Sequence, residues 1–162
     1  MKTLSAKPAF TLVEIVIVIM MIGIFSTGFA ISYSNSQKKV TFESDKEKVL
    51  SIIQKARNLS LTNLMVNDTQ ADYYYLEVTG ANLTGTGLTL TGYDIDGVSS
   101  LIDSVTFSSG IYTNLFLKVK YYPPYGTVTF DSGIHGLILM DGTGNNASTI
   151  TISEFGGFAD AT

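Results

Sequence analysis

The sequence predicts an α+β fold in which a long N-terminal helix packs on an antiparallel β-sheet or sandwich. Residues 10–32 form an apolar run with a single charge, Glu14. Helical spacing of apolar residues returns from Val40. Beyond Asn67 the chain breaks into short segments rich in Tyr, Thr, Val and Ile, separated by Gly, Asn and Asp. At 162 residues the chain has room for one domain with a real core. Hydrophobic residues make up 45% and charged residues 15%, and much of the apolar excess lies in that first run. The organisation expected is a leader (1–9), a membrane-spanning helix (10–32), an amphipathic half of the same helix (33–66) and a β-rich head (67–162).

The first run sets the anchor. Twenty-three helical residues span roughly 35 Å, enough to cross a hydrocarbon layer of about 30 Å. A secretory signal carries its small-residue cleavage site after a shorter apolar region. Here Ala9 precedes the run, so cleavage beside it leaves the helix on the mature chain. Glu14 is costly inside an apolar helix, and such residues usually mark function and have a partner. Two readings of it stand. The carboxylate sits at headgroup depth, or cleavage between Ala9 and Phe10 creates an α-amine one turn away on the same face. A buried pair of that kind fixes register more than it adds stability.

Residues 33–37 (Tyr-Ser-Asn-Ser-Gln) are poor helix formers and read as a linker or a helix able to fray. Val49, Ile52, Ile53, Ala56, Leu59 and Leu64 then recur at three- and four-residue steps, a stripe suited to packing on a sheet. Strands are expected at 73–78, 88–95, 104–107, 115–122, 127–130, 137–140 and 149–153. Turns are expected at Gly85-Thr-Gly87, Asp96-Gly97, Pro123-Pro124 and Asp141-Gly142.

Charge is uneven. Between residues 33 and 66 six basic residues face three acids, whereas from Asn67 onward only Lys118 and Lys120 oppose ten acids. An acidic head disfavours nucleic acid, whose phosphates call for clustered Lys and Arg. The chain has no cysteine, which removes disulfides, thiolate metal sites and thiol nucleophiles. Asp131, Ser132 and the sole histidine, His135, crowd a Gly-rich turn, and local crowding does not make a triad. No enzyme is expected. Asp94, Asp96 and Asp141 sit in oxygen-rich loops that are weak calcium candidates, and Asp-Gly is also ordinary hairpin punctuation. No other cofactor or metal is indicated. Asn58, Asn67, Asn82 and Asn146 match the glycosylation sequon as expected by chance in a chain this rich in Asn, Ser and Thr. Alternating burial and cross-strand pairing account for most of Tyr73-Tyr74-Tyr75 and Tyr121-Tyr122.

Ala9-Phe10-Thr11-Leu12-Val13-Glu14, after a short basic leader with Lys2 and Lys7 and before an unbroken apolar helix, resembles the N-terminus of type IV prepilins and type II secretion pseudopilins. Ala9 stands where that family usually has Gly, and its common proline near Ile31 is missing. The resemblance implies cleavage between Ala9 and Phe10 by a prepilin peptidase, N-methylation of Phe10, and assembly guided by Glu14. It implies a single-pass inner-membrane precursor, leader in the cytoplasm and head outside, later part of a pilus or pseudopilus. Expected partners are the prepilin peptidase, other pilin or pseudopilin subunits, the inner-membrane assembly platform and membrane lipid. More loosely, Ala56-Arg57, the Pro123-Pro124…Gly126 turn and the terminal Gly156-Gly157 resemble GspH/FimT-type pseudopilins and minor pilins. The function so implied is that of a structural filament subunit; a filament-tip adhesin or DNA-uptake receptor is the alternative.

Overall fold

The computed structural model describes residues 11–66, 68–81, 84–113, 115–154 and 156–162. One helix, α1 (Leu12–Thr62), is followed among these residues by ten strands. They are β1 (Met65–Val66), β2 (Thr69–Ala81), β3 (Thr84–Asp94), β4 (Ser99–Thr106), β5 (Ile111–Thr113), β6 (Lys118–Tyr122), β7 (Thr127–Phe130), β8 (Gly136–Asp141), β9 (Ala147–Ile152) and β10 (Ala159–Ala161). All pairings are antiparallel, and the strands form a single sheet in the order β10-β9-β8-β5-β3-β2-β6-β7. β1 joins β2 and β4 joins β3 beside this path. The α+β class is therefore as expected, with one antiparallel sheet.

The chain divides into two compact units, with the boundary after Lys39. In the first, α1 runs without a break through residues 33–37, and Gln37 Nε2 donates to the Tyr33 hydroxyl at 2.9 Å, one turn back. The polar stretch is thus helical and not a linker.

The second unit, Val40–Thr162, holds the core. From Val40 the helix buries Phe42, Asp45, Val49, Ile52, Ile53, Ala56 and Ser60, a stripe at three- and four-residue steps. Its apolar members pack with Tyr74, Leu76, Leu88, Leu90, Val119, Leu137 and Ile150 in one cluster. Each such side chain contributes about 1.5–3 kcal/mol when fully buried. Leu64 is outside this stripe. Asn63 takes a left-handed φ of 49°, ending the helix at Thr62 instead of the expected 66. Leu64 is exposed, and its carbonyl accepts from the Tyr74 hydroxyl at 2.6 Å.

Gly85-Thr-Gly87 also differs from expectation: it lies inside β3 and is not a turn. A Cβ at Gly85 would stand 2.4 Å from Thr113 Cγ2, and one at Gly87 would stand 2.4 Å from the Val105 carbonyl oxygen. These glycines permit the close approach of neighbouring strands. The turns at Asp96-Gly97, Pro123-Pro124 and Asp141-Gly142 are present. Strand 104–107 is the end of a longer β4, and 115–122 shortens to β6.

Asp45 ties the helix to the loop after β4. It is fully buried, accepts from the Ser108 N–H at 2.6 Å and receives Lys48 Nζ at 2.7 Å. Burial pushes its pKa up, but the hydrogen bonds from Lys48 and Ser108 outweigh it and hold the carboxyl below its usual value. The stabilisation from a depressed carboxylate is complete above the unfolded pKa of about 3.9 and is lost as pH falls through the folded pKa. Asp45→Ala, which leaves the Ser108 N–H without its acceptor, is expected to lose about 1–3 kcal/mol at neutral pH. Denaturant melts of both chains across acidic pH should show the gap narrowing as the pH falls; a gap independent of pH would contradict this role.

Candidate functional site

The first turn of α1 carries the candidate site. Thr11 precedes the helix, and its side-chain oxygen and carbonyl accept from the Glu14 N–H at 3.3 and 3.1 Å. Thr11 is the N-cap and Glu14 the third helical residue, the spacing of a capping box. An acidic residue in the first turn also suits the positive end of the helix dipole. The sequence signal for this cap is Thr11-x-x-Glu14. Among the described residues, Glu14 makes no ion pair. Ala9 and Phe10, the expected cleavage and methylation residues, lie outside the described residues.

Every described side chain from Thr11 to Phe29 is exposed. Leu12 is 79% and Phe29 75% accessible, although almost all of this surface is apolar. Two hydroxyls in the run bond back to their own helix. Ser26 Oγ donates to the Ile22 carbonyl at 2.7 Å, and Thr27 Oγ1 to that of Ile24 at 2.8 Å. Such back-bonding leaves few unpaired polar groups for a hydrocarbon solvent. The helix is long and apolar enough to cross a membrane. A contiguous apolar surface of this size calls for lipid or protein around it.

The other candidates are dispersed over the head. Asp94 and Asp96 lie at the β3–β4 turn and Asp141 at the β8–β9 turn. Asp94 Oδ1 accepts from the Val98 and Asp96 N–H groups at 2.7 and 3.1 Å. Asp141 Oδ1 accepts from the Thr143 and Asn145 N–H groups, both at 3.1 Å, and from the Thr143 hydroxyl at 2.9 Å. Its Oδ2 accepts from Asn146 Nδ2 at 2.6 Å. Burial raises the Asp141 pKa, yet the bonds from Asn146, Thr143 and Asn145 bring it down to about 2. Both carboxylates thus organise their own turns as Asx caps. Among the described residues, no three His, Asp or Glu side chains gather as a metal site.

His135, Asp131 and Ser132 do not form a triad. His135 Nδ1 lies 3.0 Å from Glu154 Oε1, and its ring stacks on Phe130 with centroids 4.4 Å apart. Asp131 pairs with Lys120 at 3.0 Å, and Ser132 Oγ accepts from the Ile134 N–H at 3.4 Å. The tyrosines divide as the alternation predicts. Tyr74 and Tyr121 are buried, whereas Tyr73, Tyr75, Tyr93 and Tyr122 pack on one another on the outer face. Tyr73 and Tyr93 stack at 4.7 Å, so their ring faces are turned to each other. Of the sequon asparagines, Asn67 and Asn82 lie outside the described residues; Asn58 is exposed on α1 and Asn146 caps onto Asp141.

No protein-family model, curated protein or solved structure matches this chain.

Because loop donors already occupy both Asp141 oxygens and Asp94 Oδ1, millimolar calcium is expected to leave the melting temperature of the full chain unchanged. A calcium-dependent rise that Asp141→Asn abolishes would show that the β8–β9 turn opens to accept the ion.

Proposed function

We propose that this chain is a structural subunit, a minor pilin or pseudopilin, of a type IV pilus or type II secretion pseudopilus. The observation that carries the reading is the exposed apolar first part of α1, in which Glu14 is the only charge. In this reading residues 10–32 wait in the inner membrane as a single span, with the leader in the cytoplasm and the head on the far side. A prepilin peptidase cuts between Ala9 and Phe10 and methylates the new amine. The assembly platform then moves the helix from lipid into a bundle of like helices in the filament core.

Glu14 gives the transfer its register. After cleavage the amine of Phe10 lies four residues before the carboxylate in sequence, within reach of it or of a neighbour's. The carboxylate of one subunit meets the amine of its neighbour only at the correct axial position. A misplaced subunit leaves both charges unpaired in an apolar medium, at a cost of about 3–5 kcal/mol. The Thr11 cap supports this arrangement by holding the backbone of the first turn. The cysteine-free, acidic head is the part left exposed on such a filament.

Two outcomes test the reading. Co-expression with a prepilin peptidase should shorten the chain by the nine residues Met1 to Ala9, read by intact-mass spectrometry. An uncleaved product counts against it. Glu14→Ala should insert into membranes as the parent does, yet enter filaments less efficiently by roughly a hundredfold to several thousandfold, the scale set by breaking a buried pair. Undiminished incorporation, measured by immunoblot of sheared filaments, would refute the register role.

A further inference from the structure

We propose that residues 156–162 form a releasable strap, latched onto the head by Arg57 of α1. The strap enters through Gly156 and Gly157, both left-handed, with φ of 83° and 64°. It then lays the three-residue strand β10 along the outer edge of β9, pairing Ala159 with Ile152 and Ala161 with Ile150. A strand this short brings few ladder bonds and presents no fully buried side chain of its own.

Arg57 holds the entry of the strap. Its Nε donates to the Gly156 carbonyl at 2.6 Å, and its guanidinium lies 3.8 Å from the centroid of the Phe158 ring. Phe158 is 58% exposed, so the cation, more than the core, keeps it in place. Beneath the latch Gly157 presses on the core. A Cβ there would stand 2.5 Å from Tyr121 Cε1 and 2.9 Å from Val128 Cγ2.

The closed strap also carries a penalty. The Tyr121 hydroxyl is buried with no hydrogen-bond partner among the described residues. It is a neutral hydroxyl with neither acceptor nor donor among the described residues. Opening returns that hydroxyl to water, bares the N–H and C=O edge of β9, and releases the guanidinium. Besides the latch, closure is held by the Ser153 N–H to the Phe158 carbonyl at 2.8 Å and by the reciprocal Thr149–Thr162 backbone pair at 3.0 Å, all at the edge of the sheet, and the trapped hydroxyl opposes them. That balance characterises a segment that opens without unfolding the rest.

Hydrogen exchange read by mass spectrometry on the full chain in detergent tests the latch. Arg57→Ala should speed exchange of the amides of residues 156–162 by at least about tenfold, with those of Ile52–Ala56 and of β2 and β3 unchanged. Arg57→Lys, which keeps the cation but not the Nε donor, should fall between the two. Gly157→Ala should open the same segment with Arg57 intact, and it serves if Arg57→Ala does not fold. Unchanged exchange in residues 156–162, or an increase spread evenly over the head in either variant, would overturn the proposal.

Discussion

The structure depends on one solvent constraint: the described side chains of the first part of α1 are almost all apolar and exposed. Hydrocarbon surface loses roughly 25 cal/mol for each Å² left in water, and this run exposes nearly all of its apolar side chains. A surface of that kind is stable only in lipid or against other apolar helices. The internally satisfied hydroxyls of Ser26 and Thr27 fit either medium. A lone carboxylate in such a medium is costly unless it meets a positive charge, which sets Glu14 apart from the carboxylates of the head.

The head obeys the opposite rule. There the helix hides its apolar stripe in the sheet, and burial outweighs charge in holding it. Lys55 and Asp103 pair at 2.5 Å, but both are substantially exposed, and exposed pairs bring at most about 1 kcal/mol. Val49, Ile52, Ile53 and Ala56 are buried as a group and bring several times that. Asp45 is the exception among the polar contacts. Complete burial makes its two bonds a condition of docking, because an unpaired carboxylate at that position would be far more costly than the pair is stabilising.

Much of this was legible in the sequence because it rests on periodicity. The stripe from Val49 to Ala56 and the inward positions of Tyr74 and Tyr121 follow from spacings of 3.6 and 2. Features set by tertiary contact were not legible. Gly85 and Gly87 look like turn residues, yet a neighbouring strand presses on each. β1, β5 and β10 have two or three residues each and carry no local pattern; their partners define them. Leu64 keeps helical spacing but follows Asn63, whose left-handed backbone ends the helix. At the candidate site the single charge in an apolar run stood out at once. The cap made by Thr11 did not, since a threonine before a helix is common.

The absence of cysteine permits a direct test of the central claim, because single cysteines introduced into the chain are the only thiols. Val18→Cys and Ser36→Cys are to be treated with a membrane-impermeant maleimide from the outer face of intact spheroplasts. Ser36→Cys is expected to react at once, and Val18→Cys only after the membrane is dissolved and the chain denatured in dodecyl sulfate. Prompt labelling of Val18→Cys in intact membranes would place the apolar helix in water and contradict its burial in lipid.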